Sequence, residues 1–129
     1  MTFHAVVWLD HQQARVFHIT AEAFDEATFK APKHHVTSSH GARDQHARGE
    51  TREAAQFFEA IARALSDSQE ILVLGPGTAK LALVKHMHKH EPKVEARIVG
   101  VETADHPTDA QIVAHARAYF RANDPLLGR

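Results

Sequence analysis

Apolar residues fall in short blocks whose period changes along the chain. From Phe3 to Leu9 the run is nearly unbroken, and Ala14 to Ile19 repeats it after the polar stretch Asp10, His11, Gln12 and Gln13. This predicts two antiparallel strands joined by a turn. Between Phe24 and Ala31, Phe24, Ala27 and Phe29 alternate imperfectly with polar residues until Pro32 closes the run, so a third strand completes an opening meander. The period then becomes helical. Thr51 is placed to cap a helix in which Ala54, Phe58, Ile61, Ala62 and Leu65 share one stripe, with Glu53 in the first turn and an end near Ser66. Glu70 to Leu74 reads as a strand buried on both faces, cut short at Gly75, Pro76 and Gly77. A second helix follows with Thr78 as N-cap, an inward stripe of Leu81, Val84 and Met87 or His88, and Pro92 as its end. Arg97 to Val101 is a further strand. Thr108 and Gln111 form a capping box before a last helix that buries Ile112, Val113, Ala116, Tyr119 and Phe120.

The predicted order is βββαβαβα. Two final strand-helix-strand steps require parallel strands with right-handed crossovers, while the meander supplies antiparallel neighbours. The simplest result is a single α/β domain over residues 1–129, a three-layer mixed sheet of strand order 3-2-1-4-5. That is a ribonuclease H-like arrangement. Its winding reverses between the first and fourth strands, where open sheets form a crevice.

Composition narrows the class. A chain of 129 residues with 43% hydrophobic residues suits one core, and a homo-oligomer is compatible with it. No cysteine is present, which excludes disulfides and thiolate sites. The N-terminus lacks the regions of a signal peptide and no apolar run approaches the roughly 20 residues of a membrane span, so a cytoplasmic protein without membrane contact is expected. The net charge of -1 conceals two basic stretches, residues 30–52 and 80–93, each carrying a net +3. The first overlaps a segment of about residues 32–50 with no periodicity, unusually long for a connection in a compact domain. It is rich in histidine and basic side chains. Such polarity can turn a protein towards phosphates, and lysines on a solvated helix look the same.

Candidate chemistry gathers at the carboxyl ends of the parallel strands. Asp10 and His11 follow the first strand, Gly75, Gly77, Thr78 and Lys80 surround the start of a helix, and Glu102, Asp105 and His106 follow the last strand. Glycines beside a helix N-terminus leave amides for an anion, and Lys80 adds a positive charge. The same residues also suit a sharp turn, a cap and a solvated lysine, and the pattern is too short for a P-loop. Asp10, Glu102 and Asp105 allow a divalent-metal reading, as in two-metal nucleases, yet aspartate is ordinary at turns and helix starts. The chain holds 12 histidines, with His34, His35, His40 and His46 in the long segment and His86 and His90 one turn apart. Without cysteine or an HExxH motif, solvent-exposed histidines are expected rather than a metal centre, and no cofactor is called for. Ser38, Ser39 and Ser66 lie in no GxSxG context, which argues against a serine hydrolase.

Two stretches carry a family resemblance. Ala5-Val-Val-Trp-Leu-Asp-His11 with Gln13-Ala-Arg-Val-Phe17, and Ile71-Leu-Val-Leu-Gly-Pro-Gly-Thr-Ala-Lys80 with Leu83-Val-Lys85, resemble the opening hairpin and the GPG-x-x-K turn of the middle domain of archaeal and eukaryotic peptide release factors and Pelota. Val99 to Asp109 is similar to a segment of small bacterial proteins labelled translational machinery proteins, which implies a stand-alone bacterial relative. In release factors acting on peptidyl-tRNA, the loop between the third strand and the first helix carries GGQ. No GGQ occurs in this sequence; Gly41-Ala-Arg-Asp-Gln45 is a distant likeness. Because the tripeptide depends on backbone geometry that glycine permits, its loss argues against peptidyl-tRNA hydrolysis. In Pelota the loop lacks GGQ and is basic, a pattern that Lys33, Arg43, Arg48 and Arg52 match.

The resemblance thus implies a non-catalytic translation-associated module contacting ribosomal or transfer RNA through Lys33, Arg43, Gln45, Arg48 and Arg52. The codon-reading and GTPase-binding domains of complete release factors are not expected within this length. Two alternatives stay open: an enzyme or small-anion or divalent-metal binder at the strand ends, and a protein-interaction scaffold using the long segment and an edge strand.

Overall fold

The computed structural model describes residues 3–32 and 51–123. The chain runs β1 (His4–Leu9), β2 (Gln13–Ile19), β3 (Phe24–Lys30), α1 (Arg52–Leu65), β4 (Glu70–Gly75), α2 (Ala79–His90), α3 (Pro92–Glu95), β5 (Ile98–Thr103) and α4 (Asp109–Asn123). The five strands form one sheet of order β3-β2-β1-β4-β5. β1 pairs antiparallel with β2 and parallel with β4, and β4 pairs parallel with β5. This is the mixed sheet expected from the sequence.

β1 is central, and alternation sends its side chains into two cores. Ala5, Val7 and Leu9 join Ile71 and Val73 under α1 and α2, whereas Val6 and Trp8 join Leu72 and Leu74 under α4. All these residues are buried, which explains the unbroken apolar run of β1 and β4. β2 alternates more, and β3 at the sheet edge is largely exposed.

α1 begins where expected. Thr51 has an extended backbone (ψ 168°) and its Oγ1 accepts from the Ala54 amide at 3.0 Å. Ala54, Phe58, Ile61, Ala62 and Leu65 are buried as the stripe predicted, together with Phe57. The capping box of α4 is present in both directions: the Thr108 amide donates to Gln111 Oε1 at 2.9 Å and the Gln111 amide to Thr108 Oγ1 at 3.1 Å.

α2 departs from expectation in two respects, its buried stripe and its N-cap, and stops before Pro92 as expected. Its buried residues are Ala79, Lys80, Leu83, His86 and Met87, while Leu81 is 55% exposed. The first turns are apolar nearly all round, so periodicity leaves the phase open and packing against the sheet and α1 sets it. Thr78 occupies the N-cap position with no side-chain capping bond, since its backbone is already helical (ψ −6°). Beyond His90, Pro92 opens the one-turn α3, a position that suits its ring and missing amide proton.

Candidate functional site

The strand-end residues are positioned by two turns and one bolted loop. The Asp10 amide donates to the Gln13 carbonyl at 3.0 Å, and Asp10 Oδ1 accepts from the Gln12 and Gln13 amides at 2.8 and 2.9 Å, closing the β1–β2 turn. The loop from Ala104 to Thr108 is fastened by Trp8 and Arg15. Trp8 Nε1 donates to the Asp105 carbonyl at 2.9 Å, and Arg15 donates to Asp109 Oδ1 and to the Pro107 carbonyl. The Arg15 guanidinium also stands 4.7 Å from the Trp8 ring centre. Glu26 lies beside this knot, its carboxyl pushed above the usual range by burial and then by a hydrogen bond shared with Asp109. Sequence reasoning singled out neither Trp8 nor Arg15; their alternation on neighbouring strands was the available signal.

His106 lies where these pieces meet. Its Nδ1 is 3.0 Å from Asp105 Oδ1, its Nε2 is 3.5 Å from Asp10 Oδ2, and its ring centre is 5.2 Å from that of Trp8. His11 turns instead towards the α2 start, with Nε2 3.3 Å from Thr78 Oγ1. Glu102 points to the α4 face and meets His115 Nε2 at 2.7 Å. The structure therefore brings Asp10, Asp105 and His106 together, joins His11 to Thr78, and places Glu102 in a separate pair. Among the described residues, no group of three or more His, Asp or Glu is arranged to hold a metal ion.

The glycine-rich turn has its own logic. A Cβ at Gly75 would lie 2.2 Å from the Leu9 carbonyl oxygen, so only glycine lets β4 pass β1 this closely. The Gly75 carbonyl accepts from the Ala104 amide at 3.0 Å, tying the turn to the bolted loop. Lys80 is buried rather than solvated, and its Nζ donates to the Gly77 carbonyl at 2.6 Å. That bond fixes the amine inside the turn.

Of the histidines, His4 on β1 is buried, and so is His86, both against the expectation of exposure; α2 turns His86 towards Phe58 and Glu59 of α1. Its Nε2 lies 3.1 Å from Glu59 Oε1, and His90 packs against its ring with centres 4.7 Å apart. Arg52, the first residue of α1, is exposed. Lys33, Arg43, Gln45 and Arg48, with His34, His35, His40 and His46, lie outside the described residues, as do Ser38 and Ser39.

No protein-family model and no curated protein matches the chain. Solved structures do match. The Pelota protein of Thermoplasma acidophilum superposes with a TM-score of 0.63 at 21% identity, covering 98% of this chain and 37% of that one. The archaeal translation termination factor aRF1 gives 0.63 at 12% identity, over 96% of this chain and 35% of its own. Dom34 of S. cerevisiae, a translation termination-like factor involved in RNA quality control pathways and interacting with Hbs1, gives 0.58 at 13% identity, covering 98% and 34%. The chain spans about a third of the length of each of these proteins. The likeness is one of fold, release-factor middle-domain-like.

Proposed function

We propose that the chain is a translation-associated module of release-factor and Pelota type that contacts the ribosome or its RNA without hydrolysing peptidyl-tRNA. The observation that carries this reading is a fold shared with Pelota and aRF1 over nearly the whole chain, at a TM-score of 0.63 with each. The sequence between β3 and α1 contains no GGQ and carries Lys33, Arg43, Arg48 and Arg52, side chains that attract phosphate without activating water. Arg52, on the exposed first turn of α1, stands at the edge of this basic stretch. The strand-end residues support the reading indirectly. Asp10 shapes a turn, Lys80 bonds its own loop and Glu102 pairs with His115, so each has a structural occupation. A place in the cytosol beside the ribosome is part of the proposal.

Sedimentation of the purified protein with ribosomes tests it. Binding at low salt that declines steeply as salt rises is expected, with no release of peptide from peptidyl-tRNA at any salt. Absence of binding at low salt, or measurable peptide release, would contradict the proposal.

A further inference from the structure

His18 joins three elements. It lies on β2 in the alternation of Ala14 and Val16, on the sheet face covered by α1, and its side chain is 21% exposed. Its Nδ1 is 2.9 Å from Asp25 Oδ1, directly across the β2–β3 ladder. Its Nε2 is 2.6 Å from the Ala64 carbonyl oxygen in the last turn of α1. Both partners are acceptors: a carbonyl oxygen has no proton to give, and neither has an ionised carboxylate. A neutral imidazole carries one N–H and an imidazolium carries two. The two hydrogen bonds therefore coexist only while the ring holds both protons. A cation is also favoured where the ring sits, since the last carbonyls of a helix form the negative end of its dipole.

We propose that His18 is a proton-dependent pin between the edge strand β3 and the C-terminal turn of α1, closed when the imidazole is doubly protonated and half-released when it loses a proton. Asp25 stands near the start of β3 and Ala64 in the last turn of α1, so the pin ties together the ends of these two elements that lie away from residues 33–50 in the chain. Among the described residues, Asp25 is the charged group within ion-pair distance of the ring, and Ala64 supplies the facing dipole from α1. The sign follows from the donors. The closed pin belongs to the acid side and opens as pH rises, and about pH 5 to 8 is the interval to follow, since imidazoles as a class change charge there.

Nitrogen-15 NMR of the histidine rings in the full chain, with amide-exchange protection followed at both ends of that range, tests the proposal. At about pH 5.5 the His18 ring is expected to show two N–H groups, and protection of the last turn of α1 falls severalfold by about pH 8, with an unfolding midpoint lower by about 2–4 °C. His18→Gln, whose amide keeps donors at every pH, should show neither change across this interval. If that variant does not fold, Asp25→Asn serves, since the Asp25 side chain is 78% exposed and an amide can donate or accept. Its protection should vary less with pH than that of the parent chain. A His18 ring with a single N–H at both pH values, or an equal pH dependence in parent and variants, would overturn the proposal.

Discussion

Two threonines at helix starts have different worth in this fold. Thr51 has the extended backbone that lets its hydroxyl reach the Ala54 amide, whereas Thr78 has entered the helix and its hydroxyl turns to His11. Thr51→Ala should cost about 1 kcal/mol and Thr78→Ala no more than about 0.5 kcal/mol, measured by denaturant unfolding. Equal costs would show that residue type, rather than backbone conformation, decides the effect. Gly75→Ala is more severe, because the new methyl would meet the Leu9 carbonyl oxygen, part of rigid central backbone. A loss of about 1–3 kcal/mol is expected in the same assay. Sequence made the capping box at Thr108 and Gln111 legible because it needs two residues at a fixed spacing. Thr78 looked like a cap because residue type was visible and ψ was not.

At the scale of elements, the strands and their order were legible from runs and alternation, and the phase of α2 was not. Ala79, Leu81, Ala82, Leu83 and Val84 surround its first turns with apolar groups, so a pattern of polar and apolar positions cannot say which side faces the sheet. The tertiary partners decide, and they bury His86 against Glu59. Glu59 also shares a hydrogen bond with Glu91. That bond, foremost, and those with His86 and Arg63 hold the Glu59 carboxyl below the usual range, while Glu91 is raised chiefly by the same bond. The two carboxyls act in opposite directions. A lowered group stabilises the fold above its unfolded pKa and loses this as pH falls, whereas a raised one stabilises on the acid side and loses this as pH rises. Around neutral pH, Glu91 therefore weakens the junction of α1 with the end of α2. Glu91→Gln, which keeps a donor and removes the charge, should raise the melting temperature at about pH 7, with the difference from the parent closing towards about pH 4. A gap that stays constant with pH would exclude this origin.

For the whole molecule, a three-layer sheet puts Asp10, the Gly75 turn and the Ala104–Thr108 loop at one edge, as the order 3-2-1-4-5 required. What that order could not say is which groups would touch. Glu102 falls on the α4 side because β5 alternates, and there it meets His115 instead of Asp10. Trp8 and Arg15 escaped notice for a related reason: their roles exist only across strands, 96 and 94 positions away from their partners at Ala104 and Asp109. In the proposed function, recognition of RNA rests on side chains known by their type in the sequence. Lys33, Arg43, Arg48 and Arg52 provide charge, and the fold provides the likeness to Pelota and aRF1.

The central claim is tested most directly by ribosome co-sedimentation across a salt series, comparing the parent chain with one in which Arg43, Arg48 and Arg52 are changed to glutamine. If those side chains meet RNA phosphates, the parent binds at low salt, and the triple variant binds more weakly with a logarithmic salt slope smaller by about two to three. Identical binding by the two chains with the same slope, or no binding by either at low salt, would contradict it.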